Sequence, residues 1–179
     1  MQKYLAAKGR KIIGWDELLE CNVDQSATIM SWRGAEPGAQ AAALGHDVIM
    51  TPNSHAYFDY YQTSNNHNEP LLIGGDLPIE KTYSFEPIPE GTPAEAGKHI
   101  LGVQANLWSE YIVSEPLAEY QVLPRMGALS EVQWMDPAQK DFKSFVKRVE
   151  CLRAIYELKG YTYAKHLWPE EHLTGSREL

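Results

Sequence analysis

Apolar and β-branched residues recur along the first two-thirds of the chain in short runs, and these runs alternate between strand and helix periodicity. Lys11–Trp15, Ala27–Trp32, Asp47–Thr51 and Ile100–Trp108 read as strands. Met1–Lys8, stopped by Gly9, and Glu36–Leu44, alanine-rich and stopped by Gly45, read as helices. Pro52 closes the third strand. From Asn53 to about Lys98 the pattern predicts one long irregular stretch carrying Tyr57, Tyr60, Tyr61 and the proline-spaced Phe85–Pro93. Loops of that length inside compact domains are usually functional. The remainder reads as helical: Pro116–Val132, with Pro124 inside it, then Asp141–Leu158. In the second helix Phe142, Phe145, Val146, Val149, Leu152, Ile155 and Tyr156 fall at three- and four-residue spacing. Gly160 ends it, and the charged segment from His166 reads as a frayed tail.

Alternating strands and helices predict an α/β fold with parallel strands. Four such units, with polar and aromatic residues gathered at strand C-terminal ends, match one half of a (β/α)8 TIM barrel followed by a C-terminal helical segment. A complete barrel takes ~250 residues, and this chain has 179. An open doubly wound sheet would also place ligands at strand ends, but no glycine-rich phosphate loop follows any strand. The expected organisation is a half barrel over residues 1–165 and a charged tail over 166–179. A chain that opens inside a helix, with a strand directly after its glycine stop, reads as a cut through a repeating β/α pattern.

Composition narrows the partners. The chain is 44% hydrophobic and 22% charged, which is globular, and its net charge of -8 argues against nucleic acid or anionic membrane, both of which demand clustered Lys and Arg. No run approaches the ~20 apolar residues of a membrane span, and the start lacks the apolar stretch of a signal peptide. Cys21 and Cys151 have neither CxxC spacing nor a nearby His pair and read as free structural thiols, so no metal or cofactor is implied. His55, His67 and His99 likewise lack ligand spacing and read as loop or surface residues.

The candidate chemistry lies where strand-like runs end in tryptophan. Trp15, Trp32 and Trp108 each close such a run, beside Asp16, Arg33 and Glu110. For a single tryptophan packing is the better reading. Three in succession, two of them followed within two residues by a carboxylate, reverse that preference and point to an aromatic-walled pocket with a polar rim. A pyranose ring, with one apolar C–H face and an equator of hydroxyls, is complementary to such a surface. Trp134 and Trp168 fall outside the pattern and read as packing residues, and Arg33 as a brace through a salt bridge.

Gly14-Trp-Asp-Glu17, Ser31-Trp-Arg-Gly34, Tyr57-Phe-Asp59 and Asn106-Leu-Trp-Ser-Glu110, in that order, closely resemble the second half of the catalytic barrel of family 20 glycoside hydrolases, the β-N-acetylhexosaminidases. The resemblance runs from about Lys3 to about Tyr163. It implies the C-terminal half of a (β/α)8 barrel and an exo-acting enzyme that removes terminal β-linked GlcNAc or GalNAc with retention. It also implies that Trp15, Trp32 and Trp108 enclose the terminal sugar, with Trp108 under the ring. Tyr57 would bond the acetamido carbonyl oxygen, and Asp59 and Glu110 the sugar hydroxyls. Substrate-assisted hydrolysis needs the acetamido group held in a near-attack pose, which an aromatic box and a phenol donor supply.

The same resemblance implies an adjacent Asp-Glu pair in a His-x-Gly-Gly-Asp-Glu motif, and no such motif occurs in the chain. Asp16-Glu17 is an Asp-Glu pair in another context and reads as a polar rim rather than the catalytic dyad. The acid/base pair is therefore expected upstream of Met1, the chain alone is expected to be inactive, and its partners would be N-acetylhexosamine-terminated glycans and the other half of the barrel. A half barrel exposes apolar edges, for which a homodimer is the expected remedy. By resemblance the parent protein would be periplasmic or extracellular. Two other readings stay open: a non-catalytic carbohydrate-binding module using the same aromatics, and a small hydrolase using Asp16-Glu17. Tyr57 also reads as an ordinary loop aromatic, Asp59 as a turn-former and Glu110 as a cap.

Overall fold

The computed structural model describes residues 1–168. They form two compact units: Met1–Ala56 with Phe85–Ala105, and Tyr57–Ser84 with the described residues from Asn106 on. In chain order the elements are α1 (Gln2–Ala6), β1 (Ile13–Trp15), β2 (Thr28–Ser31), α2 (Ala35–Ala43), β3 (Val48–Met50), α3 (Asn53–Ala56), α4 (Ile79–Ser84), α5 (Ala94–Gly97), β4 (Ile100–Val103), α6 (Glu115–Val122), α7 (Arg125–Trp134) and α8 (Phe142–Lys159). Short 3-10 helices occupy Asp16–Glu20 and Pro137–Gln139.

The first unit holds the sheet. Its four strands are parallel and lie in sequential order, β1-β2-β3-β4. Strand-by-strand addition of this kind is what half of a (β/α)8 barrel requires, whereas a doubly wound sheet reverses direction at a switch point. The fold class is accordingly a partial (β/α)8 barrel. Along β2 and β3, Ile29, Ser31, Val48 and Met50 are fully buried while Thr28, Met30 and Ile49 between them are half-buried, the period of two expected of strands. The small residues Gly38, Ala41 and Ala42 of α2 are buried, and a Cβ on Gly38 would sit 2.4 Å from Met50 Sδ and 3.1 Å from Ser31 Cβ. That glycine is what lets the helix approach the sheet. Ile13 and Leu101, on the two edge strands, are each 61% exposed.

Strand β4 is shorter than the apolar run suggests. A bulge places Val48 against Ile100 and Ile49 against Gly102, so Leu101 is the inserted residue. Gly102 takes a φ of 151°, a conformation that L side chains rarely adopt. The ladder then runs out: Gln104 N–H still donates to Met50 O, but Asn106, Trp108 and Glu110 lie beyond the strand. The long irregular stretch contains three short helices, α3, α4 and α5, each of four to six residues.

The second unit is helical. Its core gathers Ile79 and Tyr83 of α4, Ala128 of α7, and Phe145, Val149 and Tyr156 of α8, with Leu123, Tyr163 and Trp168 closing it. The single helix expected over Pro116–Val132 is two. Leu123, which precedes Pro124, is extended at φ -100° and ψ 132°, because a proline ring pushes the preceding residue out of the α region. Helix α8 follows its sequence pattern, with Asp141 accepting from the Lys143 amide as N-cap and Gly160 in the left-handed region as its stop. The tail expected from His166 begins inside this core, since Trp168 is buried there; residues 169–179 lie outside the described residues.

Candidate functional site

The site residues divide between the two units. In the sheet unit, Trp15 is the last residue of β1 and Trp32 directly follows β2, both half-buried. Trp32 is fixed at three points. Its amide donates to Asp16 Oδ2 at 3.0 Å, its carbonyl accepts from Asn53 N–H at 2.9 Å, and its indole Nε1–H lies 3.1 Å from each Glu17 carboxylate oxygen. Asp16 is fully buried and also accepts from Arg33 N–H at 3.1 Å and Arg33 Nε at 2.5 Å. Arg33 reaches on to Glu20 at 2.7 Å, which makes it the brace that its sequence context suggests. The Asp-Glu pair is thus engaged in holding the end of β2. The Glu17 carboxyl is held below the ordinary glutamate range, first by its own backbone amide and then by the Trp32 indole.

In the second unit, Tyr57, Asp59, Trp108 and Glu110 come together. Tyr57 and Asn106 form an isolated parallel bridge, and Phe58 N–H donates to Asn106 O at 2.7 Å, which ties the two segments side by side. The Tyr57 ring centroid lies 6.3 Å from that of Trp108, tilted by 60°, and 5.7 Å from Tyr60, edge-on. Burial pushes the Tyr57 phenol up from its usual range, so it remains an O–H donor. Trp108 is 41% exposed and Glu110 sits in an exposed turn.

Asp59 is 6% exposed, and its Oδ1 has no hydrogen-bond partner among the described residues. Burial raises its carboxyl above the ordinary range and the negative Glu110 adds to that, while its own amide, the Trp108 amide and the Arg125 charge work the other way. A buried carboxylate oxygen without a donor is costly unless a ligand supplies one. Sequence reasoning missed Arg125, which is fully buried and donates to the Phe58, Tyr60, Leu77 and Gln121 carbonyls. The one signal for it was an arginine set among Leu123, Pro124 and Met126 at the start of a buried helix.

Two packing assignments separate. Trp168 is buried in the helical core, whereas Trp134 is 90% exposed. The buried side of α7 runs through Arg125, Ala128, Leu129 and Val132, and Trp134, two residues past the last of these, turns away from it. Cys21 and Cys151 are free, and both are exposed rather than packed. Among the described residues no helix is long and apolar enough to cross a membrane.

Parallel strands in sequential order, with Trp15 ending β1 and Trp32 following β2, define half of a (β/α)8 barrel. Residues 1–137 match the family model described as glycosyl hydrolase family 20, catalytic domain. A β-hexosaminidase of Porphyromonas gingivalis (strain ATCC BAA-308 / W83) is 42% identical over 179 residues, which are 99% of this chain and 23% of that protein. A β-hexosaminidase of Vibrio furnissii is 31% identical over 133 residues, 72% of this chain and 21% of its own length. Among solved structures, the GH20 exo β-N-acetylglucosaminidase from Vibrio harveyi in complex with N-acetylglucosamine superposes with a TM-score of 0.82 at 30% identity, covering 93% of this chain and 26% of its own. The GH20 β-N-acetylhexosaminidase of Streptomyces coelicolor A3(2), at 22% identity and TM-score 0.80, shares the fold; it is matched over 92% of this chain and 34% of its own. The chain belongs to glycosyl hydrolase family 20. It spans about a quarter of the length of the first of these relatives.

Proposed function

We propose that this chain supplies the sugar-holding part of an exo-β-N-acetylhexosaminidase acting on terminal β-linked GlcNAc or GalNAc, with residues 1–165 as the C-terminal half of its catalytic barrel. Trp15 and Trp32 of the sheet unit and Trp108 of the other are the aromatic residues assigned to the sugar, with Trp108 under the pyranose ring. Tyr57 donates to the acetamido oxygen, and Asp59 and Glu110 accept from sugar hydroxyls. The observation that carries this reading is Asp59: a buried carboxylate oxygen without a donor, in the unit that also sets Tyr57 beside Trp108. A sugar hydroxyl would satisfy it with a charge-assisted hydrogen bond.

In this reading the 2-acetamido oxygen attacks the anomeric carbon as the C1–O bond to the aglycone breaks, giving a cyclic oxazolinium, and water then opens it at C1, so that two inversions give net retention. Tyr57, kept protonated by burial, positions the attacking oxygen. The acid that protonates the leaving oxygen and the carboxylate that steadies the acetamido nitrogen come from residues outside this chain. Asp16 and Glu17 are engaged in holding Trp32 and Arg33, which supports assigning them no proton transfer. The other part of the barrel is the natural partner, and a second copy of the chain would cover the exposed Ile13 and Leu101 edges in its absence.

The test is calorimetric titration of the purified chain with N-acetylglucosamine, alongside hydrolysis of a chromogenic β-N-acetylglucosaminide. Binding that Asp59→Asn and Trp108→Ala weaken, with no turnover by the chain alone, is the expected result. Turnover abolished by Glu17→Gln would make the chain a complete hydrolase and overturn the assignment of the acid. Binding indifferent to both pocket variants would overturn the pocket.

A further inference from the structure

Arg125 is the first residue of α7 and has no exposed surface. Its Nη2 donates to Phe58 O at 2.5 Å and Gln121 O at 2.6 Å, its Nη1 to Tyr60 O at 3.2 Å and Leu77 O at 3.1 Å, and its Nε to Gln121 O at 3.0 Å. A weaker contact reaches Gln121 Oε1 at 3.3 Å, and the guanidinium carbon stands 4.8 Å over the Phe58 ring. Each of these acceptors is a neutral oxygen. Burying a guanidinium on neutral partners alone is an expensive way to pack a helix, for which an apolar side chain of similar volume would serve better. The positive charge therefore needs a purpose.

Two of the carbonyls that Arg125 holds, Phe58 O and Tyr60 O, belong to the residues on either side of Asp59. The guanidinium thus grips the backbone before and after a buried carboxylate whose Oδ1 has no donor among the described residues. From this geometry, and resting on the sugar-binding reading above, we infer that Arg125 is a positioning residue of the sugar site: it fixes Asp59 from both sides and offsets its negative charge, so that Oδ1 meets a sugar hydroxyl as an anion. The planar fork is essential to this role, because one guanidinium spans carbonyls that a lysine ammonium could engage only in part.

The electrostatics agree in sign. Tyr57, Tyr60, Glu110 and Arg125 share the field at Asp59, and of these Arg125 alone favours the ionised form. Around Arg125 itself lie Asp59, Glu69 and Tyr120, with His166 bonded to the last two. Burial lowers the Arg125 guanidinium to about 9, which leaves it charged at neutral pH. Removing that charge must raise the Asp59 carboxyl further.

The experiment is NMR on the full chain, following the Asp59 carboxyl carbon through a pH titration in the unsubstituted protein, Arg125→Lys and Arg125→Met. N-acetylglucosamine affinity is measured on the same samples at acidic and neutral pH. The Asp59 midpoint is expected to rise in Arg125→Met and affinity to fall about tenfold or more, as for a lost hydrogen bond to a charged group. In Arg125→Lys the midpoint is expected to move less while affinity still drops, since the charge survives and the fork does not. An unchanged midpoint and affinity in a folded Arg125→Met would overturn the inference. Should neither variant fold, the Arg125 Nε–H resonance of the unsubstituted chain decides it: a shift that tracks Asp59 ionisation supports the link, and no shift overturns it. If the unsubstituted chain binds no sugar, the functional reading fails, while the Asp59 midpoints still decide whether Arg125 governs that carboxylate.

Discussion

The indole Nε1–H of Trp32 is shared between both carboxylate oxygens of Glu17, at 3.1 Å from each. The contact turns an exposed glutamate into the clamp of Trp32, and it is strongest while the carboxylate is ionised and both oxygens can accept. Because the folded-state Glu17 carboxyl is lowered, this contribution is present above the unfolded value and fades as pH falls through the folded one. The Trp32 indole resonance is expected to hold steady through mild acid and to shift only below the usual glutamate range. A shift centred near neutrality would contradict the assignment. Glu17→Ala is expected to release the ring at any pH and weaken sugar binding.

Asp16 should matter more for stability than its neighbour. It is fully buried and accepts from two backbone amides and the Arg33 guanidinium. Asp16→Ala leaves those donors without their acceptor and is expected to cost about 2–3 kcal/mol, read from the midpoint of urea unfolding. A loss near zero would mean that water replaces the carboxylate easily.

Asp59→Asn separates stability from binding. The Asp59 carboxyl is raised in the folded chain, chiefly by burial, so the folded state favours its proton. Stability is then highest below the unfolded value and is lost as pH rises through the folded one. The asparagine variant has no such loss. Its thermal midpoint relative to the unsubstituted chain is expected to climb across that window and then level off, while its sugar affinity falls at neutral pH. A relative midpoint that declines with rising pH would reverse the sign and refute the account.

Gly102→Ala tests the β4 bulge. Nothing lies within 4 Å of the Cβ that would be added, so the cost is purely that of a side chain at a φ of 151°. About 1–3 kcal/mol is expected in thermal unfolding, and a neutral substitution would show that the bulge relaxes.

In the helical unit, Phe145 is 2% exposed and stacks on Tyr83 at 4.8 Å. Phe145→Ala is expected to remove about 3–4 kcal/mol, measured by denaturant unfolding, with the remaining secondary structure followed by circular dichroism.

The elements most legible in the residue pattern were those whose burial is a local, periodic matter. Strands β1 to β3, helix α2 and helix α8 fall within a few residues of their apolar runs, because one buried face imposes a period that the sequence has to carry. The failures have physical causes. The Ile100–Trp108 run stayed apolar past Val103, but a ladder needs a partner, and the pairing with β3 is spent after Gln104. Pro124 lies within a continuous helical pattern, yet its ring holds Leu123 out of the helix and splits the run in two. Trp134 looked like core by residue type, yet helical phase puts it off the buried side of α7.

The alternation of strands with helices and the tryptophans and carboxylates that follow the strand-like runs are legible from periodicity and residue type, whereas the sequential strand order that separates a half barrel from a doubly wound sheet is decided by tertiary pairing. What each of those side chains is held by is likewise decided by tertiary structure. Trp32 is clamped by a carboxylate fifteen residues away, and the backbone flanking Asp59 is gripped by an arginine on a helix whose contact with Phe58 spans sixty-seven residues. Hydrogen-bond partners, burial of charge and the free oxygen of Asp59 depend on atoms that only folding brings within 3 Å or so of one another, and distance along the chain carries no record of them.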